Sequence, residues 1–369
     1  MELIVDGIIY LYQKFGGISR LFTETLPRLC DLEPKLSTTL ITYPGMSSND
    51  LPQHDRIILR PNPDVYRYSR PYGYDARLHK LVTRAFLGSS KGKIWLSTYY
   101  TSPVAWAGPQ VFVAYDFIYE KYRLEYWKNE LPGVDKIIQE KAFAIANADL
   151  VICISETTRQ DLMELYSVPD YKAVVVHLAH KPSFTLIDGM TTKQKQKFIL
   201  YVGNRSGYKD FDILMRSYAN WDSRFEIGLV CAGGGQWTDM EKQELSRYSL
   251  DNMVTLYPHV DDENLCWLYN EALAFVYPSQ YEGFGIPLVE AMACGCPLVA
   301  SRIQSFVEIA GDVPIYFTPR NMDELIASLS QVINEGRSTP RTATGLELAS
   351  HYSWENTARG FLQAFYSLV

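Results

Sequence analysis

Short β-branched runs alternate with helix-length amphipathic segments along nearly the whole chain. This alternation predicts parallel sheets joined by helical crossovers, because each parallel strand needs a return along a face of the sheet. The strands expected in the first half are Leu3–Ile9, Leu36–Thr42, Ile57–Leu59, Ile94–Leu96, Val111–Tyr115, Leu150–Ile154 and Ala173–His177. Those expected in the second half are Phe198–Val202, Glu226–Ala232, Met253–Leu256, Leu273–Tyr277, Leu298–Ser301 and Ile315–Phe317. The fold class is therefore α/β.

The helices expected in the first half are Ile18–Cys30, Tyr74–Leu87, Val134–Ala146 and Glu156–Tyr166. A chain of 369 residues has room for about two domains. The apolar periodicity is interrupted by a polar run that ends at Lys197. We expect one domain at residues 1–180, a linker at 181–197 and a second domain at 198–352. A terminal helix, residues 353–369, begins after a good N-cap, Ser353, and is expected to pack back on the first domain.

The composition excludes several classes of protein. With 47% apolar residues the chain is too apolar to be disordered or fibrous, and its net charge of −7 argues against a nucleic-acid partner. The start of the chain has no basic region before its apolar stretch, and no run of about 18 apolar residues occurs, so we expect a cytoplasmic protein without signal peptide or membrane span. The six cysteines lack the spacing of a zinc site and are expected to be reduced core thiols.

The stretch Tyr277–Pro297 contains the most informative motif of the chain. It predicts a strand end, a loop, a short helix and the next strand. The loop residues Gly283–Gly285 come just before the helix, where exposed N–H groups and the helix dipole favour an anion such as phosphate. Glu282 and Glu290 flank this position, and two carboxylates would repel a phosphate unless they face neutral groups. Hydroxyls of a sugar or a ribose are the expected guests.

The letters EGFGIPLVEAMACGCP, which span both glutamates, resemble the signature of family-4 retaining glycosyltransferases of GT-B fold. The resemblance implies two doubly wound Rossmann-like domains that face each other across a cleft, with residues 1–180 binding the acceptor and residues 198–352 binding the nucleotide sugar. It also implies that Glu290 binds the ribose of the donor nucleotide and that Glu282 contacts hydroxyls of the transferred sugar. The alternative is an ordinary strand–loop–helix with surface carboxylates. The resemblance runs from about Gly16 to Trp354 and is thin between residues 30 and 95.

The same resemblance covers the strand end and loop Leu200–Lys209, which carries Gly203, Arg205 and Lys209. Two cations near one loop suit a diphosphate. Fixed cations stabilise the charge that grows on the leaving phosphate more in the transition state than in the ground state. We therefore assign most of the catalysis to Arg205 and Lys209; solvated loop charges are the alternative.

Further donor-binding residues are assigned by the resemblance. They are the loop residues Gly16, Gly17, Gly203, Gly233 and Gly234, the residue Val260, whose backbone is expected to contact the base, and Gly283, Phe284, Gly285 and Ile286. The acidic pair in Asp210–Asp212 is not expected to bind metal, because it opens a helix, where acids favour the dipole, and GT-B enzymes generally need no metal.

The segment Val113–Glu120 matches a strand-end motif of the family in which histidine precedes aspartate. Here Tyr115 stands at the histidine position, followed by Asp116. A tyrosine can donate a hydrogen bond to sugar or acceptor but cannot be a cation near neutral pH. Tyr115 and Asp116 are candidate catalytic residues, and a structural strand end is the alternative.

Residues 56–93 carry a strong excess of positive charge in an acidic protein. The basic residues are Arg56, Arg60, Arg67, Arg70, Arg77, Lys80, Arg84, Lys91 and Lys93, against Asp64 and Asp75, with Tyr66, Tyr68, Tyr72 and Tyr74 interleaved. This combination suits anionic lipid headgroups, a lipid diphosphate or stacked sugars. We expect peripheral contact with an anionic membrane at its inner face; a solvated basic face is the alternative.

Together these features predict a retaining glycosyltransferase that moves a hexose from a nucleotide diphosphate sugar to a glycan or lipid-linked glycan in polysaccharide biosynthesis. The donor that the resemblance suggests first is UDP-glucose or a related UDP-hexose, and GDP-mannose is second. Neither the residues nor the motif selects the sugar. No cofactor and no metal are expected. The alternatives are a GT-B epimerase or phosphorylase and, from another class, a non-catalytic protein that binds sugar nucleotides or polysaccharide.

Overall fold

The computed structural model describes residues 1–13, 16–47, 50–62, 85–103, 106–187, 189, 197–205 and 207–368. The chain divides into two compact units, one of Met1–Leu178 with Trp354–Val369 and one of Ala179–Ser353. Part of the expected linker, residues 188 and 190–196, lies outside the described residues. Each unit is built on a parallel sheet with helices, so the prediction of an α/β fold is confirmed.

The sheet of unit 1 has seven parallel strands. They are β1 (Glu2–Asp6), β2 (Ser37–Thr42), β3 (Ile57–Pro61), β4 (Lys93–Leu96), β5 (Gln110–Ala114), β6 (Leu150–Cys153) and β7 (Ala173–Val175), in the spatial order β3-β2-β1-β4-β5-β6-β7. The described helices between them are α1 (Ile9–Tyr12), α2 (Gly17–Leu32), α3 (Ile118–Tyr126), α4 (Leu131–Asn147) and α5 (Glu156–Tyr166). The order of the strands reverses between β1 and β4. From β1 the chain continues to β2 and β3 on one side of the sheet, and from β4 it continues to β5, β6 and β7 on the other side.

The sheet of unit 2 has six parallel strands and the same kind of reversal. They are β8 (Lys197–Val202), β9 (Ile227–Ala232), β10 (Val254–Tyr257), β11 (Ala274–Tyr277), β12 (Leu298–Ser301) and β13 (Ile315–Phe317), in the order β10-β9-β8-β11-β12-β13. The helices are α6 (Phe211–Ala219), α7 (Asp239–Arg247), α8 (Asp262–Glu271), α9 (Ile286–Ala293), α10 (Gln304–Ala310), α11 (Met322–Glu335) and α12 (Pro340–His351).

The central strands of unit 2 are buried on both faces, which is why they are continuous apolar runs in the sequence. β8 contributes Ile199 and Tyr201 to the core, and β9 pairs with it in register from Lys197 with Ile227 to Val202 with Ala232. The hydroxyl of the buried Tyr218 on α6 donates 2.7 Å to the carbonyl of Ile227. The buried Tyr218 hydroxyl therefore has a hydrogen-bond partner.

The terminal helix α13 (Trp354–Tyr366) belongs to unit 1. Its buried residues Trp354, Ala358, Phe361 and Phe365 recur at helical spacing, so they form one apolar stripe, which packs on α2. The Thr357 hydroxyl donates 2.8 Å to the carbonyl of His177. The chain therefore returns to unit 1 after completing unit 2.

The structure differs from the sequence prediction in two places near the ends of strands. β1 ends at Asp6 rather than Ile9, and the residues after it form α1. The helix α3 was not expected, because its low apolar content and many tyrosines hide the amphipathic repeat. The predicted helix Tyr74–Leu87 lies mostly outside the described residues. No helix of the described ranges is both long and apolar enough to cross a bilayer.

We expect Gly360→Ala to destabilise the packing of α13 on unit 1. A Cβ at Gly360 would lie 2.7 Å from Cγ1 of the buried Val176, and such overpacking costs about 1–3 kcal/mol. The matched control is Gly133→Ala in α4, where a Cβ would meet no atom within 4 Å. This change should stabilise the protein by about 0.5–1 kcal/mol. Thermal unfolding midpoints check both changes. An equal gain in both variants would contradict the close contact.

Candidate functional site

The candidate site of unit 2 lies where the strand order reverses. β8 and β11 are neighbours in the sheet, but the chain winds away from them in opposite directions. Open α/β sheets bind ligands outside the carboxyl ends of the strands at such a reversal. The loop after β8 carries Gly203, Arg205 and Lys209, and the loop after β11 carries Glu282.

An ion pair joins the two loops. Lys209 Nζ lies 2.6 Å from Glu282 Oε1, and the hydroxyl of Ser279 donates to the same oxygen at 2.7 Å. The backbone N–H of Gln280 also donates 2.8 Å to the carbonyl of Tyr208. Two residues that are 73 positions apart in the sequence are therefore fixed side by side. An ammonium has three N–H donors, so Lys209 keeps donors for a phosphate while it holds Glu282.

The pair has aromatic surroundings. Lys209 Nζ lies 5.0 Å from the ring centre of Tyr208 and 5.8 Å from that of Tyr277. Burial raises the pKa of the Tyr277 phenol well above its ordinary value, and the charge of Glu282 raises it further. Neither side chain of the pair is more than 18% exposed. Charges in such a poorly hydrated place interact more strongly than in water.

Arg205 is placed differently from what the sequence predicted. Its side chain is 2% exposed, and Nε donates 2.7 Å to Glu241 Oε1. Nη1 donates to the carbonyl of Gly233, and Nη2 lies within hydrogen-bond distance of the carbonyls of Gly234, Gly235 and Gln236, at 2.7 to 3.3 Å. The guanidinium also lies 4.5 Å from the ring centre of Trp237. Arg205 therefore holds the glycine turn, and its assignment to the diphosphate stays a prediction.

The partner carboxylate supports this structural role. Burial alone would raise the pKa of Glu241, but hydrogen bonds from Arg205 and Thr238 lower it below its ordinary value. Glu241 also completes the capping box of α7, with Thr238 accepting from the Glu241 N–H and Glu241 accepting from the Thr238 N–H. Sequence reasoning missed Glu241; the spacing of threonine and glutamate before α7 was the available signal.

The glycine turn after β9 requires its glycines. Gly233 and Gly234 have φ of 84° and 75°, which other residues rarely adopt. A Cβ at Gly234 would lie 2.8 Å from the carbonyl oxygen of Gly203 and 2.7 Å from Arg205 Nη1. The predicted donor residues Gly203, Gly233 and Gly234 are therefore brought together. Val260 is half-buried before α8, and the strand that precedes it contacts the turn: the Gly233 N–H donates to the Tyr257 carbonyl at 2.8 Å.

The loop before α9 is tightly packed. Gly283, Phe284 and Gly285 are buried, and the Phe284 ring meets Tyr352 edge-on at 5.7 Å, so its side chain faces the interior of unit 2. Gly285 has φ of 101°, and a Cβ there would lie 3.0 Å from the Phe306 ring. Ile286 begins the helix and is half-buried.

Glu290 lies on α9 and is only 3% exposed. The hydroxyl of Tyr269 on α8 donates to Glu290 Oε2 at 3.4 Å. Burial raises the pKa of Tyr269 well above its ordinary value, and the Glu290 charge adds to the rise. Tyr269 was not predicted from the sequence, because nothing in α8 marks it apart from other core aromatics.

In unit 1, Gly16 and Gly17 stand where the resemblance predicted, at the start of α2. Gly16 is the N-cap residue, and a Cβ there would lie 2.1 Å from Cδ of Gln13. The Gln13 side chain accepts from the Ser19 N–H at 3.3 Å. The Gln13 side chain therefore closes the turn before α2. Residues 14 and 15 lie outside the described residues.

The side chain of Tyr115 lies inside unit 1, and its role at the site stays a prediction. It is 5% exposed, and its hydroxyl donates 2.8 Å to the carbonyl of Thr98. Its donor is used inside unit 1, so this placement matches the structural alternative rather than contact with sugar or acceptor. Asp116 is half-buried, and its Oδ1 accepts from the Ile118 N–H at 3.2 Å at the start of α3. Asp116 stays a candidate.

A buried carboxyl group that the sequence analysis missed lies beside Tyr115. Asp6 ends β1 and accepts from the Ile8 N–H, from the Thr98 hydroxyl at 3.0 Å and from the Thr101 hydroxyl. Burial raises the pKa of Asp6 to about 7, although the hydrogen bonds from Ile8 and Thr98 lower it. The signal in the sequence was an acid at the carboxyl end of an apolar strand.

The basic segment 56–93 lies largely outside the described residues, including Arg67, Arg70, Arg77, Lys80, Arg84 and all four tyrosines. Three described members have partners within unit 1. Arg56 donates to the carbonyl of Glu33 at 2.9 Å, Arg60 lies 4.6 Å from the ring centre of Phe86, and Lys93 Nζ lies 3.1 Å from Glu2. These three side chains therefore contact unit 1 itself, whereas the membrane prediction assumed that they contact lipid headgroups.

Within the described ranges, no three side chains of histidine, cysteine, aspartate or glutamate are grouped as metal ligands. Asp212 is exposed and lies 3.6 Å from Arg216 one turn on, while Asp210 precedes α6 with φ of 52°.

Residues 184–344 match the family model of glycosyl transferases group 1. This part of the chain is similar to a glycosyltransferase group 1 domain. O-antigen chain mannosyltransferase B of Escherichia coli is 29% identical over 250 residues, which cover 64% of this chain and 65% of that protein. O-antigen chain mannosyltransferase RfbU of Salmonella typhimurium is 28% identical over 50% of this chain and 54% of its own. The matches thus span less than two thirds of these relatives.

Solved structures resemble the whole chain. Sucrose-phosphate synthase from Thermosynechococcus elongatus has a TM-score of 0.75 at 16% identity and covers 100% of this chain and 99% of its own. WaaG, a glycosyltransferase involved in lipopolysaccharide biosynthesis, has a TM-score of 0.66 at 14% identity and covers 99% of both chains. The fold is GT-B. At these identities the likeness concerns the fold alone.

We expect Arg205→Met to reduce the stability of unit 2 by about 3 kcal/mol or more, because it leaves Glu241 and the carbonyls of the glycine turn without their donor. The matched control is Arg216→Met, whose side chain is 48% exposed, and it should change stability by less than about 0.5 kcal/mol. Chemical denaturation measures both. A variant at position 205 that is as stable as the parent, yet has lost affinity for nucleotide diphosphates, would restore the diphosphate role.

Proposed function

We propose that the protein is a retaining, metal-independent glycosyltransferase that moves a hexose from a nucleotide diphosphate sugar to a glycan or lipid-linked glycan in polysaccharide biosynthesis. The single observation that carries the proposal is the Lys209–Glu282 pair at 2.6 Å, held at the reversal point of unit 2 beside the helix that carries Glu290. The group 1 family match over residues 184–344 supports the class of reaction.

The two members of the pair take different roles in this proposal. Lys209 places a positive charge where a donor diphosphate would lie at the carboxyl ends of β8 and β11. Glu282, fixed by Lys209 and Ser279, accepts hydrogen bonds from hydroxyls of the transferred sugar. Glu290, on α9, accepts from the ribose hydroxyls. Because Arg205 holds the glycine turn, Lys209 remains as the cation assigned to the leaving group.

The proposed transfer keeps the configuration of the sugar by front-face displacement. The bond between the anomeric carbon and the phosphate oxygen breaks, and the acceptor hydroxyl oxygen bonds to the same face of that carbon. The proton of the acceptor hydroxyl passes to the departing phosphate oxygen, so no side-chain base is required. Lys209 stabilises the charge that grows on the diphosphate, which lowers the barrier more than it strengthens ground-state binding.

The names of the relatives favour a different first donor from the one that the sequence analysis expected. Among the relatives described above, both are O-antigen chain mannosyltransferases, which favours a mannosyl donor such as GDP-mannose. UDP-glucose, the donor expected first from the sequence, stays the second candidate. It is favoured by a structural neighbour, the Anabaena protein HepE, solved in complex with UDP and glucose, with a TM-score of 0.70 at 16% identity.

Calorimetric titration of the full chain with GDP-mannose and with UDP-glucose decides between these donors. Release of nucleotide diphosphate on addition of acceptor then separates an enzyme from a protein that only binds sugar nucleotides. The membrane contact through residues 56–93 stays a prediction.

We expect Lys209→Met to lower turnover at saturating donor by about 100-fold, because it removes the cation that stabilises the leaving diphosphate. The matched control is Lys242→Met, an exposed lysine of the same unit that lies 3.0 Å from Asp239, and its turnover should equal that of the parent. Initial rates of nucleotide diphosphate release measure both. Undiminished turnover in the position 209 variant would sink the assigned role.

Glu290→Gln should weaken binding of the nucleotide sugar by about 1–3 kcal/mol, because it removes the charge and replaces one of the two acceptor oxygens with an NH2 donor. Glu263→Gln, an exposed change on α8, serves as the control for a lost charge. Calorimetry gives the affinities, and thermal unfolding shows whether the variant is folded. Equal affinity in a folded Glu290→Gln protein contradicts the ribose role.

A further inference from the structure

Two buried thiols meet where α8 packs against α9 in unit 2. Cys266 lies in α8, Cys294 is the C-cap residue of α9, and their sulfur atoms are 3.7 Å apart. We call these two residues the thiol pair. A disulfide bond needs about 2.0 Å between its sulfurs, so the two atoms would have to approach by about 1.7 Å. The sequence analysis missed the pair, because its members are 28 positions apart.

The two thiols of the pair differ in acidity. The hydrogen bond with the Cys294 thiol lowers the pKa of Cys266 to about 6 against the effect of burial, and the Asn270 amide, 3.6 Å from the Cys266 sulfur, also lowers it. The same hydrogen bond and burial raise the pKa of Cys294. Burial also raises the pKa of the other four cysteines, Cys30, Cys153, Cys231 and Cys296. Cys266 is therefore the thiol that ionises near neutral pH, and the thiolate is the form that reacts with oxidants.

Cys266 lies just beneath the surface of unit 2. Its sulfur is 3.6 Å from the carbonyl oxygen of Thr185, and residues 185–187 are exposed. Asn270, which contacts the same sulfur, also lines a cavity of about 370 Å³. Cys266 is 5% exposed and Cys294 is 0% exposed. A molecule as small as hydrogen peroxide therefore reaches Cys266 before it reaches Cys294.

The thiol pair belongs to a closed set of contacts that includes Glu290. On α8, Tyr269 lies one turn after Cys266, and its hydroxyl donates to Glu290 Oε2 at 3.4 Å. On α9, the Cys294 N–H donates to the carbonyl of Glu290 at 3.1 Å. Arg337 joins the same two helices by donating to the carbonyls of Tyr269 and Cys294, at 2.9 and 3.0 Å. A change at the thiol pair therefore reaches Glu290 by two short routes.

We propose that the thiol pair is a redox site, at which hydrogen peroxide forms a reversible disulfide bond that joins α8 to α9. Redox-sensing cysteines are ionised, within reach of solvent and placed next to a second thiol that resolves the oxidised form. Cys266 has the first two properties, and Cys294 is the resolving thiol. A structural cysteine that is simply buried in apolar surroundings is inert.

The oxidation proceeds in two steps. The Cys266 thiolate sulfur attacks one oxygen of hydrogen peroxide, the O–O bond breaks, and Cys266 becomes a sulfenic acid while hydroxide leaves. The Cys294 sulfur then attacks the Cys266 sulfur, the S–O bond breaks, and the departing hydroxide takes the Cys294 proton. The two thiols lose two protons and two electrons in total, which reduce the peroxide to two water molecules. A dithiol reverses the change by thiol–disulfide exchange.

The disulfide bond weakens donor binding, and this part of the proposal rests on the proposed role of Glu290. Tyr269 and Glu290 each lie about one helical turn from a cysteine of the pair, so they approach when the sulfurs approach. At 3.4 Å their hydrogen bond is long, and a shorter bond commits Glu290 Oε2 to the phenol. That oxygen is then less available to the ribose hydroxyls of the donor.

Peptide mapping of the full chain by mass spectrometry tests the bond itself. The reduced chain has six free thiols, and after peroxide treatment four should remain, with a linked peptide that contains Cys266 and Cys294. In Cys294→Ser, dimedone should trap Cys266 as a sulfenic acid. Cys266→Ser should keep all of its thiols. The matched control is Cys296→Ser, a buried thiol two residues from Cys294, and this variant should form the same bond as the parent.

Calorimetry with GDP-mannose and UDP-glucose tests the effect on the donor. The oxidised parent should bind the nucleotide sugar about fivefold or more weakly than the reduced parent, because a hydrogen bond to the ribose is lost. Dithiothreitol should restore the affinity. Cys266→Ser should bind the nucleotide sugar equally well before and after peroxide treatment, whereas Cys296→Ser should respond like the parent.

The outcomes separate the redox site from the proposed function. Six thiols remaining after treatment, a bond between Cys294 and Cys296, or a bond between two chains overturns the redox site. A mapped bond between Cys266 and Cys294 that leaves nucleotide affinity unchanged overturns the effect on the donor. If the reduced parent binds neither nucleotide sugar, the proposed function fails, and the mapped bond still supports the redox site.

Discussion

The reversal of strand order in each parallel sheet is the constraint on which both candidate sites depend. Parallel strands point their carboxyl ends to one edge, and crossovers from two neighbouring strands that wind in opposite directions leave a gap between their loops. In unit 2 the gap lies between β8 and β11, where Lys209 meets Glu282. In unit 1 it lies between β1 and β4, where Asp6 meets Thr98. Sequence-distant polar groups converge there because the topology leaves them no other edge.

Two cations of one loop have opposite fates in unit 2, and desolvation explains the difference. A buried charge is tolerated only when the protein replaces its hydration with partners. Arg205 has a planar fork of donors that matches a carboxylate and a set of carbonyls, so it is buried against Glu241 and the glycine turn. Lys209 has a single carboxylate partner and stays partly exposed. The more buried cation shapes the site, and the less buried cation is available to a ligand.

Sequence reasoning predicted the strands of both sheets and the short helix α9 well, because buried parallel strands are continuous apolar runs and because proline and glycine bracket that helix. It predicted which residues cluster at the β8 and β11 loops. It could not predict which way the Arg205 side chain turns, since that depends on the carbonyls of a turn about 30 residues later. It also missed α3 and the buried Asp6, whose environments are created by long-range contacts.

The two reversal points differ in charge. At β8 and β11 a lysine and a glutamate face each other with little water, which suits a diphosphate that changes its charge during reaction. At β1 and β4 the carboxyl of Asp6 is surrounded by hydroxyls and burial raises its pKa to about 7, while Lys141 is bound by Glu120. The carboxyl of Asp6 is therefore held by uncharged donors, whereas that of Glu282 is held by a cation.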